Sequence, residues 1–234
     1  MKLTKRQLME IIEESLLIEG STNPGCAILM FDDSDQIADG FKEIFGVQNL
    51  PVNIPTGHSS CAIIKPNGSV VGISFGPPAC SRSKTKDMID KIGQQVAKKI
   101  GLLGSMKVNV KSLGRVTLSK RKLTASSAKS AAKLLKKQFH SGRGCTYYAY
   151  NDVDANKSLT YAGSDGRCKL YSPMATFEAG TGLGIDNCAS FAIDVIATGK
   201  TDVGSSVAQV LQSPALSCRA ANISFGGSDF KGTL

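Results

Sequence analysis

The stretch HSSCAIIKPNGSVVGISFG, residues 58–76, decides the reading of the fold. Two runs rich in β-branched and small apolar residues flank Asn67-Gly68, a dipeptide that accepts the positive φ of a tight turn, so the stretch reads as a β-hairpin opened by His58. Upstream, Gly25 to Phe31 reads as a short buried strand. Between them, Ile37, Phe41, Ile44 and Phe45 recur at helical spacing over 33–46.

Downstream, residues 84–103 carry Ile89, Ile92, Val96 and Ile100 on one face and lysines on the other, predicting a single amphipathic helix. The segments 107–110 and 115–118 alternate like exposed strands. A second helix, capped by Ser126 or Ser127 and ended by Gly142, has Ala128, Ala131, Ala132, Leu135 and Phe139 as its stripe. Cys145 to Tyr150 is a strand candidate, and 151–184, rich in Gly, Ser, Asp and Thr, reads as loops and short strands. Helical spacing returns over 185–198, stopped by Gly199. A last helix near 203–211 and a strand near 221–225 complete the prediction. These elements make an α+β fold, an antiparallel sheet packed with helices.

The 234 residues suffice for one domain. We expect an amphipathic helix over 1–20, with Leu8, Ile11, Ile12 and Leu16 as its apolar face and Thr4 with Gln7 as a capping box, available to dock on the body or on a protein partner. A single domain over 21–234 follows, with a basic helical insertion at about 82–143. That insertion holds 17 Lys and Arg against Asp87 and Asp90, while the rest of the chain nets −6. Such a face suits an anionic polymer or nucleic acid, but Phe139 is the only aromatic residue between 82 and 143, which argues against base stacking. No apolar run approaches the roughly 20 residues of a membrane span. Glu10, Glu13 and Glu14 interrupt the first helix, which is unlike a secretory signal, so the expected site of synthesis is the cytoplasm.

Seven cysteines occur without C-x-x-C pairing or a Cys/His cluster, so neither a zinc site nor any other cofactor is expected, and most thiols should be small core residues in a reduced compartment. Asp152-x-Asp154-x-Asn156 begins like a calcium loop, but Lys157 and Gly163 stand where the turn glycine and the bidentate Glu belong. The glycines at 180, 182 and 184 match no phosphate-binding spacing.

One cysteine stands apart. With Asp186 as N-cap, Cys188 falls in the first turn of a helix, where unpaired N–H groups and the helix dipole favour a thiolate. Of the two histidines, His140 reads as the end of the basic helix, and His58, leading a strand, is the candidate base.

Gly57-His58 on a hairpin, followed much later by Asn187-Cys188-x-x-Phe191 opening a helix, resembles the circularly permuted NlpC/P60 and LRAT-like branch of the papain-fold cysteine hydrolases. In that branch the histidine precedes the cysteine. The resemblance implies a nucleophilic Cys188, a His58 base, an acyl-enzyme intermediate and a third polar group that orients the imidazole. It implies an amide or ester substrate such as a peptide or cell-wall stem peptide. The third group corresponds to Ser74, which an ideal two-residue turn would put on the sheet face opposite His58, so that assignment requires a bulge or a longer turn. Asn67, a backbone carbonyl or a residue of 151–184 are the alternatives. The opening KLTKRQL resembles segments of tailed-phage structural proteins, making a phage virion a candidate context and an inactive structural or nucleic-acid-associated virion protein the alternative function.

Overall fold

A computed structural model describes residues 24–33, 57–99, 101–163, 167–172, 185–200 and 214–234. In chain order the elements are β1 (Gly25–Asp32), β2 (Ser59–Ile64), β3 (Ser69–Ala79), α1 (Arg82–Ile92), α2 (Gln94–Lys99), β4 (Gly104–Arg115), α3 (Ala125–Phe139), β5 (Cys145–Val153), α4 (Ala155–Ala162), β6 (Cys168–Tyr171), β7 (Ile185–Asp186), α5 (Cys188–Gly199), α6 (Pro214–Ser224) and β8 (Phe230–Thr233). The strands form one sheet in the order β7-β6-β4-β3-β2-β1-β5-β8, antiparallel except for β6 with β7. The α+β class expected from the sequence is the class observed.

Strands β1 and β2 are buried along their whole length, which explains why CAILMF and CAII are continuous rather than alternating apolar runs. Alternate residues feed two cores. Ala27, Leu29, Phe31, Cys61, Ile63, Ile73 and Phe75 pack with α4, α5 and α6, whereas Cys26, Ile28, Met30, Ala62, Ile64 and Val70 pack with α3 through Ala128, Ala131, Ala132 and Leu135.

The turn between β2 and β3 fixes which side chains share a face. Ile64 pairs with Val70, Lys65 N–H donates to Ser69 O, and Gly68 N–H donates to Lys65 O, so three residues, Pro66, Asn67 and Gly68, form the connection. Gly68 has φ 83°, and a Cβ there would lie 2.3 Å from the Val116 carbonyl oxygen. The longer turn shifts the register by one residue relative to a two-residue loop. Ser60 therefore stands directly opposite Ser74, on the α3 face.

Several expectations change. The helix predicted over 84–103 is two helices separated by Gly93 at φ 78°, and α1 buries no residue; Val96 is exposed. Residues 107–110 and 115 belong to one long strand, β4, inside the sheet, so the basic segment 82–143 is woven into the fold through β4 and α3. Thr124, not Ser126 or Ser127, caps α3, because Ser127 sits at the third helical position and returns the capping bond. Residues 155–162 are helical, with Asp154 as N-cap. The strand predicted near 221–225 is the end of α6, where Cys218 and Ala221 bury one turn apart. The helices predicted over 1–20, over most of 33–46 and near 203–211 lie outside the described residues. Among the described residues no helix is long and apolar enough to cross a membrane.

Cys26, Cys61, Cys145, Cys188 and Cys218 are free and buried, but Cys80 and Cys168 form a disulfide closing 88 residues of chain and tying the end of β3 to β6. A loop of that size restricts the unfolded chain strongly. Reduction, or the substitution Cys80→Ser, is expected to lower stability by about 2–4 kcal/mol, read from urea denaturation with and without a thiol reductant.

Candidate active site

Helix α5 begins with a reciprocal cap. Asn187 Oδ1 accepts from Ser190 N–H at 2.8 Å, and Ser190 Oγ accepts from Asn187 N–H at 2.9 Å. The predicted cap, Asp186, instead accepts from Ser190 Oγ at 3.0 Å and pairs with Lys169. Cys188 is thus the first helical residue, and its buried thiol donates to the Gly57 carbonyl at 3.9 Å. Burial pushes the thiol up to about 11, against the pull of the N–H groups of Ser59, Ala189 and Cys188 itself, which favour the thiolate. At neutral pH the group is a thiol that needs a base.

His58 lies at the mouth of β2. Its N–H donates to Asp32 Oδ2 at 2.9 Å, and its Nε2 meets Ser74 Oγ at 2.8 Å. Ser59 turns to the α6 side, with Cys218 Sγ 3.5 Å from its Oγ, and Ser60 turns to the α3 side, so pleat alternation and the Ser74 bond place the His58 ring with Ser60. The longer turn that Ser74 requires is present. Burial, then the neighbouring His140 and Arg143, hold the imidazole down to about 4 against the opposing pull of Asp32, so it is neutral at pH 7 and can accept a proton.

Beside this pair lies a buried polar network. His140 meets Asp32 Oδ1 through Nδ1 at 2.5 Å and Ser60 Oγ through Nε2 at 2.7 Å, while the Arg143 guanidinium reaches Asp32 Oδ2 at 2.5 Å. Burial works to raise the Asp32 carboxyl, but His140, Arg143 and the His58 amide bring it down to about 2. The rings of His58 and His140 stand 5.1 Å apart. Sequence reading treated His140 only as a helix terminator. Asp32 and His140 are 108 residues apart, and the one linear signal was an acid ending an otherwise apolar buried strand.

Asp32, His140 and Cys145 also hold donor atoms within 4.8 Å of one another, a spacing compatible with a metal ion. Both Asp32 oxygens, however, are engaged by His140 and by the Arg143 cation, whose charge opposes a second cation there. The donors fit a hydrogen-bonded network better than a metal centre.

The structure brings His58 and Ser74 together and sets Cys188 at the same end of β2, across the strand. Among the described residues no hydrogen bond joins the Cys188 thiol to the His58 ring. The thiol faces the Gly57–Ser59 main chain from the α5 side, and the imidazole lies on the α3 side.

No protein-family model matches the chain, and no curated protein matches it in sequence. Among solved structures it is similar to TseH, a type VI secretion system effector, at 15% identity and a TM-score of 0.48, with 85% of this chain and 88% of that chain covered. No residue role is carried over from that likeness.

Two depressed pKa values make the fold acid-sensitive. The unfolded chain protonates His58 near 6.5, the native one only near 4, so stability present above pH 6.5 falls as pH drops through that window; Asp32 adds a second loss between about 4 and 2. Urea midpoints measured from pH 8 to 3 should decline in both windows. His58→Gln should flatten the decline between pH 6.5 and 4 and leave the lower one.

Proposed function

We propose that the chain is a papain-like thiol hydrolase of permuted order that cleaves an amide or ester bond through an acyl-enzyme on Cys188. The observation that supports this reading best is the start of α5: a capped helix whose first residue is a cysteine, with backbone N–H groups aimed at its sulfur, against the peptide that leads into His58. The reaction takes the tautomer in which Ser74 Oγ accepts from Nε2–H, which leaves Nδ1 as the basic atom of His58. It requires the ring to leave Ser74 and bring Nδ1 round the Gly57 main chain to the thiol, since the two groups rest on opposite sides of the strand.

The proton then passes from Cys188 Sγ to His58 Nδ1, and the thiolate attacks the substrate carbonyl carbon. Backbone N–H groups at the start of α5 stabilise the oxyanion. The imidazolium returns its proton to the departing amine or alkoxide, leaving a thioester. Water, deprotonated by the same imidazole, cleaves the thioester and restores the thiol. The substrate class we propose is a peptide, including the stem peptides of cell walls.

The exposed lysines of α3, Lys129, Lys133 and Lys137, favour a second reading, in which this face holds an anionic polymer, either as the scaffold's only function or to hold the enzyme near an anionic substrate. Salt-dependent retention on a polyanion column, lost on replacing these three lysines by glutamine, tests that face.

For the hydrolase, release of free amine from stem peptides and of phenol from activated esters is the direct assay. Cys188→Ala is expected to abolish turnover and His58→Ala to lower it by about 10²-fold or more. Unchanged turnover in Cys188→Ala would overturn the proposal.

A further inference from the structure

We infer that Asp32 and His140 are positioning residues for His58, a buried pair that fixes the resting position of its imidazole. The inference rests on the hydrolase reading for its role in catalysis, but not for its geometry.

Each part of His58 is held by this pair or by what it orders. Asp32 Oδ2 accepts the His58 amide at 2.9 Å, which pins the main chain at the strand mouth. Asp32 Oδ1 holds His140 through Nδ1, and His140 Nε2 meets Ser60 Oγ at 2.7 Å. Ser60 is the cross-strand partner of Ser74, whose hydroxyl meets His58 Nε2 at 2.8 Å. The chain of contacts therefore leaves Asp32, passes through His140 and two serines, and returns to the ring whose own amide Asp32 holds. The His140 ring, 5.1 Å from that of His58, completes the enclosure.

A satisfied network of this kind costs little once formed, because Asp32, His140, Ser60 and Ser74 all have partners. Among the described residues, the charged and titratable groups around His58 are Asp32 from β1, His140 and Arg143 from the segment after α3, Cys145 from β5 beside Asp32, and the Cys188 thiol from α5 across the strand; β3 contributes the Ser74 hydroxyl. His140 and Arg143 resist a proton on His58, and Asp32 favours one. Burial adds to the resistance. The balance keeps the imidazole neutral and able to accept.

The chain has two histidines, so ring signals can be assigned by substitution and followed by NMR against pH in the intact protein. In the wild type, His58 should titrate well below the ordinary histidine range. In His140→Gln, which keeps a polar side chain beside Ser60, its titration should rise by about one pH unit. Arg143→Gln, at a half-exposed side chain, should also raise it, and serves where His140→Gln fails to fold. In both variants the pH at which Cys188 alkylation accelerates should shift with the His58 titration. His58 titrating at the same pH in wild type and in a folded Arg143→Gln or His140→Gln protein would overturn the inference. A shifted His58 titration with no hydrolysis by the wild type would uphold the positioning pair and count against the hydrolase reading alone.

Discussion

Pleat parity in the central hairpin governs everything else in this molecule. Because successive side chains of a strand face opposite sides, the three residues that join β2 to β3, rather than two, decide that Ser60 and Ser74 lie together and that His58 joins them. Gly68 makes that turn possible, since its positive φ and the close carbonyl of Val116 leave no room for a side chain. With two residues in the turn, Ser74 would face the α5 core and His58 would lose the hydroxyl that holds its ring.

The same parity separates two chemical environments across one strand. On the α5 side, the Cys188 thiol is buried and surrounded by N–H groups that would welcome negative charge. On the α3 side, the imidazole is neutral and kept so by burial and by the neighbouring His140 and Arg143. Both groups rest uncharged, a thiol on one side of the strand and an imidazole on the other. Asp32 stands at the junction, bonded to the His58 main chain on one oxygen and to His140 on the other.

Much of this was legible in the sequence. The apolar stripe of α3 and the helix that starts at Cys188 announced themselves by helical periodicity, and the hairpin and the buried strand at 25–31 by continuous apolar runs and the Asn67-Gly68 turn. Two elements that were misread or missed, α1 and β8, do not bury a regular face. Helix α1 has no buried residue and is held against β4 by contacts such as Thr85 with Ser105, so its period said little about Gly93. Edge strand β8, with the sequence FKGT, alternates weakly and is defined by its pairing with β5. The polar network was hidden for a different reason: Asp32, Ser60, His140 and Arg143 come from distant parts of the chain, and only the sheet brings them together. Ser74 was found through family resemblance, and the turn that justifies it could be recognised as necessary but not read from Asn67-Gly68 alone.

The central claim is that Cys188 is a nucleophile activated by His58. Alkylation of the folded, disulfide-intact protein by iodoacetamide, with peptide mapping of all five free thiols across pH 5 to 9, tests it most directly. Cys188 should label faster than Cys26, Cys61, Cys145 and Cys218 near neutral pH, and His58→Gln should slow Cys188 alone. Equal labelling of the five thiols, or a Cys188 rate indifferent to His58, would contradict the account.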